Sequence, residues 1–207
     1  MISKHKVYLV RHGETDSNAA GIIQGFSDPL SETGLAQAAA IAERIKSIEL
    51  QHLLSSDMPR ALVTAEHIAR STGKQVEVSP LLREVVSDDH MVGRPFTDFT
   101  DSWWVPPKTL DEHRPPWGGS MQSELTRARQ ALEHIRSFDS DVVVVTHGAF
   151  LCLLLAAAMW DDPSVDTVWG VYRRFLRTNS GLTIFSYGDY DSPMWRLHTW
   201  NDQEHVG

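Results

Sequence analysis

The sequence has little cysteine and no excess of basic residues. Cys152 is the only cysteine among 207 residues, so no disulfide can form within the chain. Nineteen lysines and arginines stand against 27 aspartates and glutamates, which gives a formal net charge of −8. This balance, without a basic tail or stripe, argues against a nucleic-acid or anionic-membrane partner. Since the longest apolar run, residues 149–160, is too short to cross a bilayer and no signal-peptide core precedes it, we expect a cytoplasmic protein.

Alternating strand and helix patterns indicate an α/β fold. A length of 207 residues with 42% hydrophobic residues is typical of one domain with a substantial core. Residues 7–10 and 142–145 are short, continuous apolar runs rich in β-branched side chains, as in parallel strands buried on both faces. We therefore expect a single domain over residues 1–207, built as a three-layer α/β/α sandwich around a mostly parallel central sheet.

One long stretch shows no period. Residues 87–119 contain several prolines and the tryptophans Trp103, Trp104 and Trp117, with neither a helical nor a strand pattern. Long irregular segments in small domains are usually functional, so we predict a lid or pocket wall; an irregular excursion packed on the core is the alternative.

Polar groups follow both apolar strands. The first strand ends in Arg11, His12 and Gly13, and the strand at residues 142–146 ends in His147 and Gly148. Because the carboxyl ends of parallel strands share one edge of a sheet, these side chains should meet where open α/β folds bind ligands. For the Arg11-His12-Gly13 segment alone, a surface histidine in a polar turn after the strand is an equally good interpretation.

Three further elements can complete a site at this edge. Arg60 is predicted in the first turn of a helix capped by Asp57, where a guanidinium adds to the positive end of the helix dipole. Glu84 lies among apolar residues, a setting that favours an uncharged carboxyl unless an arginine is close. In the loop after the first strand, Asn18, Gln24 and Gly25 could offer amide donors to an oxyanion, or simply bond within the loop.

Several chemistries are disfavoured by motifs that the sequence does not contain. It has no Gly-rich nucleotide loop, no Gly-x-Ser-x-Gly nucleophile elbow, and no Asp or Cys cluster at metal-ligand spacing. An oxyanion pocket with an imidazole nucleophile and a carboxylic acid remains, which is typical of phosphoryl transfer through a covalent intermediate.

The motifs together resemble the histidine phosphatase superfamily, whose fold is called phosphoglycerate mutase-like. The matching segments are Leu9-Val10-Arg11-His12-Gly13-Glu14-Thr15, residues 28–34, Ser55-Ser56-Asp57 with Arg60, Leu82-Arg83-Glu84, and Val145-Thr146-His147-Gly148. They occur in the family's order over nearly the whole chain, and residues 201–205 resemble the tail of its phosphatase-type members.

The resemblance implies roles for these residues. His12 would be the nucleophile that becomes phosphohistidine, while Arg11, Arg60 and His147 would hold the phosphoryl oxygens. Glu84 would protonate the leaving oxygen and then activate water. Asn18, Gln24, Gly25 and Gly148 would complete the substrate site. The resemblance implies a phosphoric monoester hydrolase of the histidine acid phosphatase type, with no metal and no organic cofactor.

Two departures from the family pattern bear on the substrate. The family's Gly-Gly-Glu-Ser is here Gly118-Gly119-Ser120-Met121, which should change local loop or cap contacts. Residues 85–118 contain three basic against six acidic residues, so they should repel a bisphosphorylated acid. We therefore expect a small phosphate monoester as substrate. The alternatives are a cofactor-dependent phosphoglycerate mutase and a non-catalytic phospho-ligand binding protein; a monomer and a homodimer both remain open.

Overall fold

The secondary structure alternates between strands and helices along the chain. A computed structural model describes residues 5–85, 89–99, 106–112, 119–188 and 194–206. The strands are β1 (His5–Arg11), β2 (His52–Ser55), β3 (Val76–Val78), β4 (Val142–Thr146), β5 (Leu182–Tyr187) and β6 (Trp195–Asp202). The helices are α1 (Asp16–Ala19), α2 (Glu32–Ile45), α3 (Pro59–Thr72), α4 (Met121–Arg136), α5 (Gly148–Met159) and α6 (Val165–Arg174). Short 3-10 turns occupy Pro80–Leu82, Asp89–Met91, Phe96–Phe99 and Glu204–Val206.

The strands form one six-stranded sheet in the order β3-β2-β4-β1-β5-β6. The first four of these are parallel to one another, whereas β5 runs antiparallel to both β1 and β6. The expected mostly parallel sheet is therefore confirmed. An antiparallel edge on a parallel sheet is common in folds of this class.

Helices cover both faces of the sheet. The strands alternate their side chains between faces, so Val142 and Val144 pack with α4, α5 and α6, while Val143 and Val145 pack with α2 and α3. The three-layer α/β/α prediction is correct. β1 and β4 are neighbours whose following helices lie on opposite faces, and in open α/β sheets ligands bind at the carboxyl ends of such a pair.

Local signals predict the helix ends with mixed success. Ser120 caps α4 through the Ser123 amide, 3.1 Å away, and Gly73 ends α3 at φ 72°. The expected cap of α3 by Asp57 is wrong: Met58 is the N-cap, with no side-chain bond, because Asp57 pairs with Arg83 instead. The loop after β1 contains the one-turn α1, and α6 was not predicted.

The predicted irregular stretch is described only in part. Residues 86–88, 100–105 and 113–118 lie outside the described residues, and motion of the stretch remains a prediction. Its described part at residues 89–99 has two 3-10 turns and bonds to the loop after β1: Ile22 pairs with Pro95, and the Gly93 amide donates to the Ile23 carbonyl at 2.9 Å. It therefore lies against the loop that carries Gln24 and Gly25. No helix among the described residues is long and apolar enough to span a membrane.

Candidate active site

The ends of β1 and β4 bring two histidines together. Arg11 pairs with Thr146 in the parallel ladder, and the His12 amide donates to the Thr146 carbonyl at 3.0 Å. The rings of His12 and His147 consequently lie 5.0 Å apart between centroids, tilted by 59°. Both histidines are fully buried.

The environment of His12 defines its tautomer. Its Nδ1 lies 2.6 Å from the Gly13 carbonyl, which can only accept a hydrogen bond, so the ring proton is on Nδ1. Burial, together with the charges of Arg60 and Arg11, lowers the pKa of His12 well below its usual value. The ring is therefore neutral at pH 7. Its Nε2 has no hydrogen-bond partner within the described part of the chain and carries a lone pair.

His147 is held by Ser56. Its Nε2 lies 2.9 Å from the Ser56 hydroxyl oxygen, which also accepts a bond from the Met58 amide at 3.2 Å. Burial, followed by the neighbouring His12, lowers the pKa of His147 well below its usual value, so this ring is also neutral. Its Nδ1 is buried and has no partner among the residues that the structure describes.

Arg11 is fixed by the segment that precedes β5. Its guanidinium donates to the carbonyl oxygen of Arg177. Burial lowers the pKa of Arg11 to about 10, which leaves it charged at neutral pH. Gly148 leaves room for this guanidinium, since a Cβ there would lie 3.2 Å from Arg11 Nε.

Arg60 projects from the first turn of α3, as predicted, and its side chain is buried. It donates to the Gly25 carbonyl at 2.9 Å and more weakly to the Phe26 carbonyl at 3.4 Å. Burial lowers the pKa of Arg60, and nearby Glu84 and Asp28 oppose this shift. The arginine thus links the loop after β1 to the edge where the histidines meet.

Glu84 does not lie in the purely apolar setting that the sequence suggested. Its carboxyl accepts bonds from the amides of Val85 at 2.9 Å, Ala149 at 3.1 Å and Phe150 at 2.9 Å. Two of these amides belong to the first turn of α5, so the Glu84 side chain caps the helix that follows His147. Arg127 holds the same segment by donating to the Arg83 carbonyl at 2.7 Å.

The loop after β1 places the remaining predicted residues nearby. Gln24 donates through its side-chain nitrogen to the Thr15 hydroxyl at 2.5 Å. The backbone amide of Asn18 donates to the same oxygen at 3.1 Å. Gly25 contributes its carbonyl to Arg60. The Gln24 side chain therefore bonds within the loop and the Gly25 carbonyl accepts from Arg60. Bonding of this kind was the alternative to binding an oxyanion.

Three residues around the site had no assigned role from sequence: Ser56, Arg177 and Asn179. Ser56 belongs to the Ser-Ser-Asp motif, and that motif is the sequence signal by which it could be found. Arg177 and Asn179 precede β5, and only the antiparallel pairing of β5 with β1 brings Arg177 to Arg11 and Asn179 to His12. No local sequence pattern predicts the pairing of β5 with β1.

Four buried nitrogen atoms are the most informative feature of the site. Within the described residues, Arg11 Nε, His12 Nε2, Arg60 Nε and His147 Nδ1 have no hydrogen-bond partner. Buried polar atoms without partners are rare and call for an explanation. Two guanidinium groups and an imidazole beside a nucleophilic lone pair suit a small oxyanion. Among the described residues, no three His, Cys, Asp or Glu side chains are arranged to hold a metal ion.

Comparison with known proteins decides the family. The model of the histidine phosphatase superfamily (branch 1) matches residues 7–203. The chain belongs to this superfamily. The resemblance seen in the sequence is thus confirmed.

The curated relatives of this superfamily member carry a mutase name. "Probable phosphoglycerate mutase GpmB" of Photorhabdus laumondii is 41% identical over 204 residues, covering 94% of this chain and 89% of the relative. An Escherichia coli protein of the same name is 35% identical with the same coverage.

Solved structures of similar fold include phosphatases. A mycobacterial glucosyl-3-phosphoglycerate phosphatase has a TM-score of 0.80 at 28% identity, covering 96% of this chain and all of that one. The phosphoserine phosphatase of Entamoeba histolytica, bound to 3-phosphoglyceric acid, has a TM-score of 0.79 at 26% identity and covers 98% and 99%. The chain is thus similar to phosphatases in structure and to named mutases in sequence.

Proposed function

We propose that this protein is a metal-independent phosphomonoesterase that hydrolyses small phosphate monoesters through a phosphohistidine on His12. The convergence of four unpartnered buried nitrogens from Arg11, His12, Arg60 and His147 is the observation that supports this function. A phosphoryl group would accept from the arginines and His147 and present its phosphorus to the lone pair of His12.

The first step transfers the phosphoryl group to the enzyme. The His12 Nε2 lone pair attacks phosphorus, an N–P bond forms, and the bond from phosphorus to the ester oxygen breaks. Arg11, Arg60 and His147 stabilise the negative charge on the equatorial oxygens, which is the main contribution of protein groups in such transfers. Glu84, in its protonated form, gives a proton to the leaving oxygen.

The second step returns the enzyme to its starting state. Glu84, now a carboxylate, takes a proton from a water molecule, whose oxygen attacks phosphorus as the N–P bond breaks. The products are inorganic phosphate, neutral His12 and protonated Glu84, so one water is consumed in each cycle.

A phosphoglycerate mutase is the second candidate, since the sequence relatives carry that name. A mutase must hold a second charged group of its substrate beside the phosphate. The segment of residues 85–118 has six acidic against three basic residues, which disfavours that substrate. Solved phosphatases of the same fold also support hydrolysis.

Phosphate release from para-nitrophenyl phosphate in excess EDTA tests this proposal. Wild type is compared with His12→Ala and with His134→Ala, a control whose imidazole binds Glu77 outside the site. We expect activity in wild type and in the control, unaffected by EDTA, and none in His12→Ala. Loss of wild-type activity in EDTA would contradict a metal-independent mechanism.

The same preparation separates the alternatives. Conversion of 3- to 2-phosphoglycerate that requires 2,3-bisphosphoglycerate, with slow hydrolysis, would favour the mutase. Tight phosphate binding without turnover on any phosphomonoester would favour a binding protein.

A further inference from the structure

The Asn179 side chain joins two residues of the candidate site. Its Nδ2 donates to the His12 carbonyl oxygen at 3.1 Å and to the Asn18 side-chain oxygen at 3.0 Å. Asn179 precedes β5, whereas Asn18 lies in α1 and His12 follows β1. One amide group therefore links the nucleophile's backbone to the loop that carries Asn18.

The direction of these bonds determines how the Asn18 amide is turned. The backbone carbonyl of His12 can only accept, so the atom of Asn179 that faces it must be the NH2 group. That same NH2 faces the Asn18 side chain, which must then present its oxygen. Since the oxygen and nitrogen of an amide diverge from their shared carbon, the NH2 of Asn18 points in a different direction from the oxygen that accepts from Asn179.

The backbone around Asn179 is firmly attached to the same strand end. The Ser180 amide donates to the carbonyls of Arg11 at 3.1 Å and His12 at 3.3 Å, with Ser180 in the left-handed region at φ 58°. On its other side, Thr178 donates through its amide and its hydroxyl to the Asn201 side-chain oxygen at 2.8 and 2.9 Å. Asn179 is thus held in place by both neighbours, independently of its own side chain.

We propose that Asn179 is a positioning residue that sets the orientation of the Asn18 amide, so that the NH2 of Asn18 faces a phosphoryl oxygen. Asn179 itself does not touch the substrate. This inference rests on the proposed function, in which Asn18 lies in the phosphate site. Without Asn179, the Asn18 side-chain amide can rotate and present its oxygen to the phosphate. The oxygen atoms of the two groups would then repel each other.

Asn179→Asp tests the orientation with almost no change in shape. An ionised carboxylate would face two oxygens, so the Asn18 amide should turn its NH2 towards the introduced carboxylate. We expect the inhibition constant of inorganic phosphate to rise about 10-fold at pH 8. At lower pH the protonated carboxyl regains one O–H donor, and the ratio of variant to wild type should move back towards one.

Two further variants separate orientation from a general structural effect. Asn201→Asp is the matched control, because its oxygen keeps accepting from Thr178 and does not touch Asn18; it should bind phosphate like wild type at every pH. The double variant Asn18→Ala/Asn179→Asp should bind phosphate no more weakly than Asn18→Ala alone. Should Asn179→Asp fail to fold, Asn179→Ser replaces it, with the same non-additive result expected.

The positioning role would be overturned by either of two results. The first is an Asn179 variant that binds phosphate like wild type, and the second is a double variant in which the two losses of phosphate affinity simply add. Because binding is measured apart from turnover, the two proposals fail differently. A wild type that binds phosphate but never turns over would reject the enzymatic function, and the Asn179 comparison would still be decided by binding. A wild type that neither binds phosphate nor turns over a phosphomonoester overturns both the enzymatic function and the role of Asn179.

Discussion

The Nε2 of His147 lies 2.9 Å from the hydroxyl oxygen of Ser56, which joins the end of β4 to the turn after β2. The same oxygen accepts from the Met58 amide, and we predict that the hydroxyl donates its own proton to His147 Nε2. The ring proton of His147 then lies on Nδ1, where it can be donated to a phosphoryl oxygen. Ser56 would in this way set the tautomer of a residue that stabilises the transferred group.

Ser56→Ala should therefore reduce kcat/KM by roughly 10-fold, equivalent to about 1.4 kcal/mol. The matched control is Ser186→Ala. The buried Ser186 hydroxyl lies 2.8 Å from His198 Nε2, and this pair is outside the site. Steady-state kinetics on both variants measures the difference. Equal losses in the two would show that the Ser56 contact is merely structural.

Gly148→Ala should weaken phosphate binding without harming the fold. An added methyl would lie 3.2 Å from Arg11 Nε and 3.4 Å from Arg177 Cδ, so the Arg11 guanidinium must shift by a few tenths of an ångström. Oxyanion binding depends on that guanidinium, and we expect KM to rise roughly 10-fold, about 1.4 kcal/mol, with little change in Tm. In the control Gly170→Ala, the methyl meets only the flexible end of Arg174 and KM should be unchanged.

Gly34→Ala should instead affect stability. A Cβ at Gly34 would lie 1.9 Å from the Glu14 carbonyl, which also accepts the Ser31 amide at 2.9 Å and so cannot easily move. We expect a loss of about 3 kcal/mol or more in the free energy of unfolding, at the upper end for overpacking. Urea denaturation measures it. A loss below about 1 kcal/mol, a typical single-site value, would mean that the β1–α2 junction yields readily.

The two buried histidines should make stability depend on pH. Burial lowers the pKa of His12 and His147 in the folded state, while in the unfolded chain both take up a proton below about pH 6.5. The unfolded state then binds more protons, so stability falls as pH drops below about 6.5, by up to about 1.4 kcal/mol per unit for each group.

Urea melts of wild type and His12→Gln between pH 7.5 and 5 test this dependence. The variant removes one of the two groups and should show a shallower decline, because one fewer histidine takes up a proton on unfolding. Parallel declines would mean that His12 takes up its proton at the same pH in the folded and unfolded chain, which would contradict a lowered pKa.

The positions that sequence predicts well are those with local signals. The continuous valines of β4 and the Arg-His-Gly and His-Gly ends predict buried parallel strands with polar groups at one edge, and the structure places His12 and His147 there. Arg60 in the first turn of α3 follows equally from Pro59 and the apolar stripe.

What the sequence does not predict depends on contacts between distant segments. Asp57 leaves its expected capping position because Arg83, 26 residues away, binds it with two hydrogen bonds. Asn179 meets His12 only because β5 pairs with β1, and Glu84 meets an amide of α5 that lies 66 residues further along the chain. Such pairings have no local pattern.

The most direct measurement is to trap the phosphoenzyme. Glu84→Gln cannot activate water, so with para-nitrophenyl phosphate, whose leaving group needs no proton, it should accumulate the intermediate in EDTA. We predict one phosphoryl group per chain, labile in acid, on Nε2 of His12, and none in Glu84→Gln/His12→Ala. Turnover by wild type without any such intermediate, or a phosphoryl group on another residue, would contradict the account.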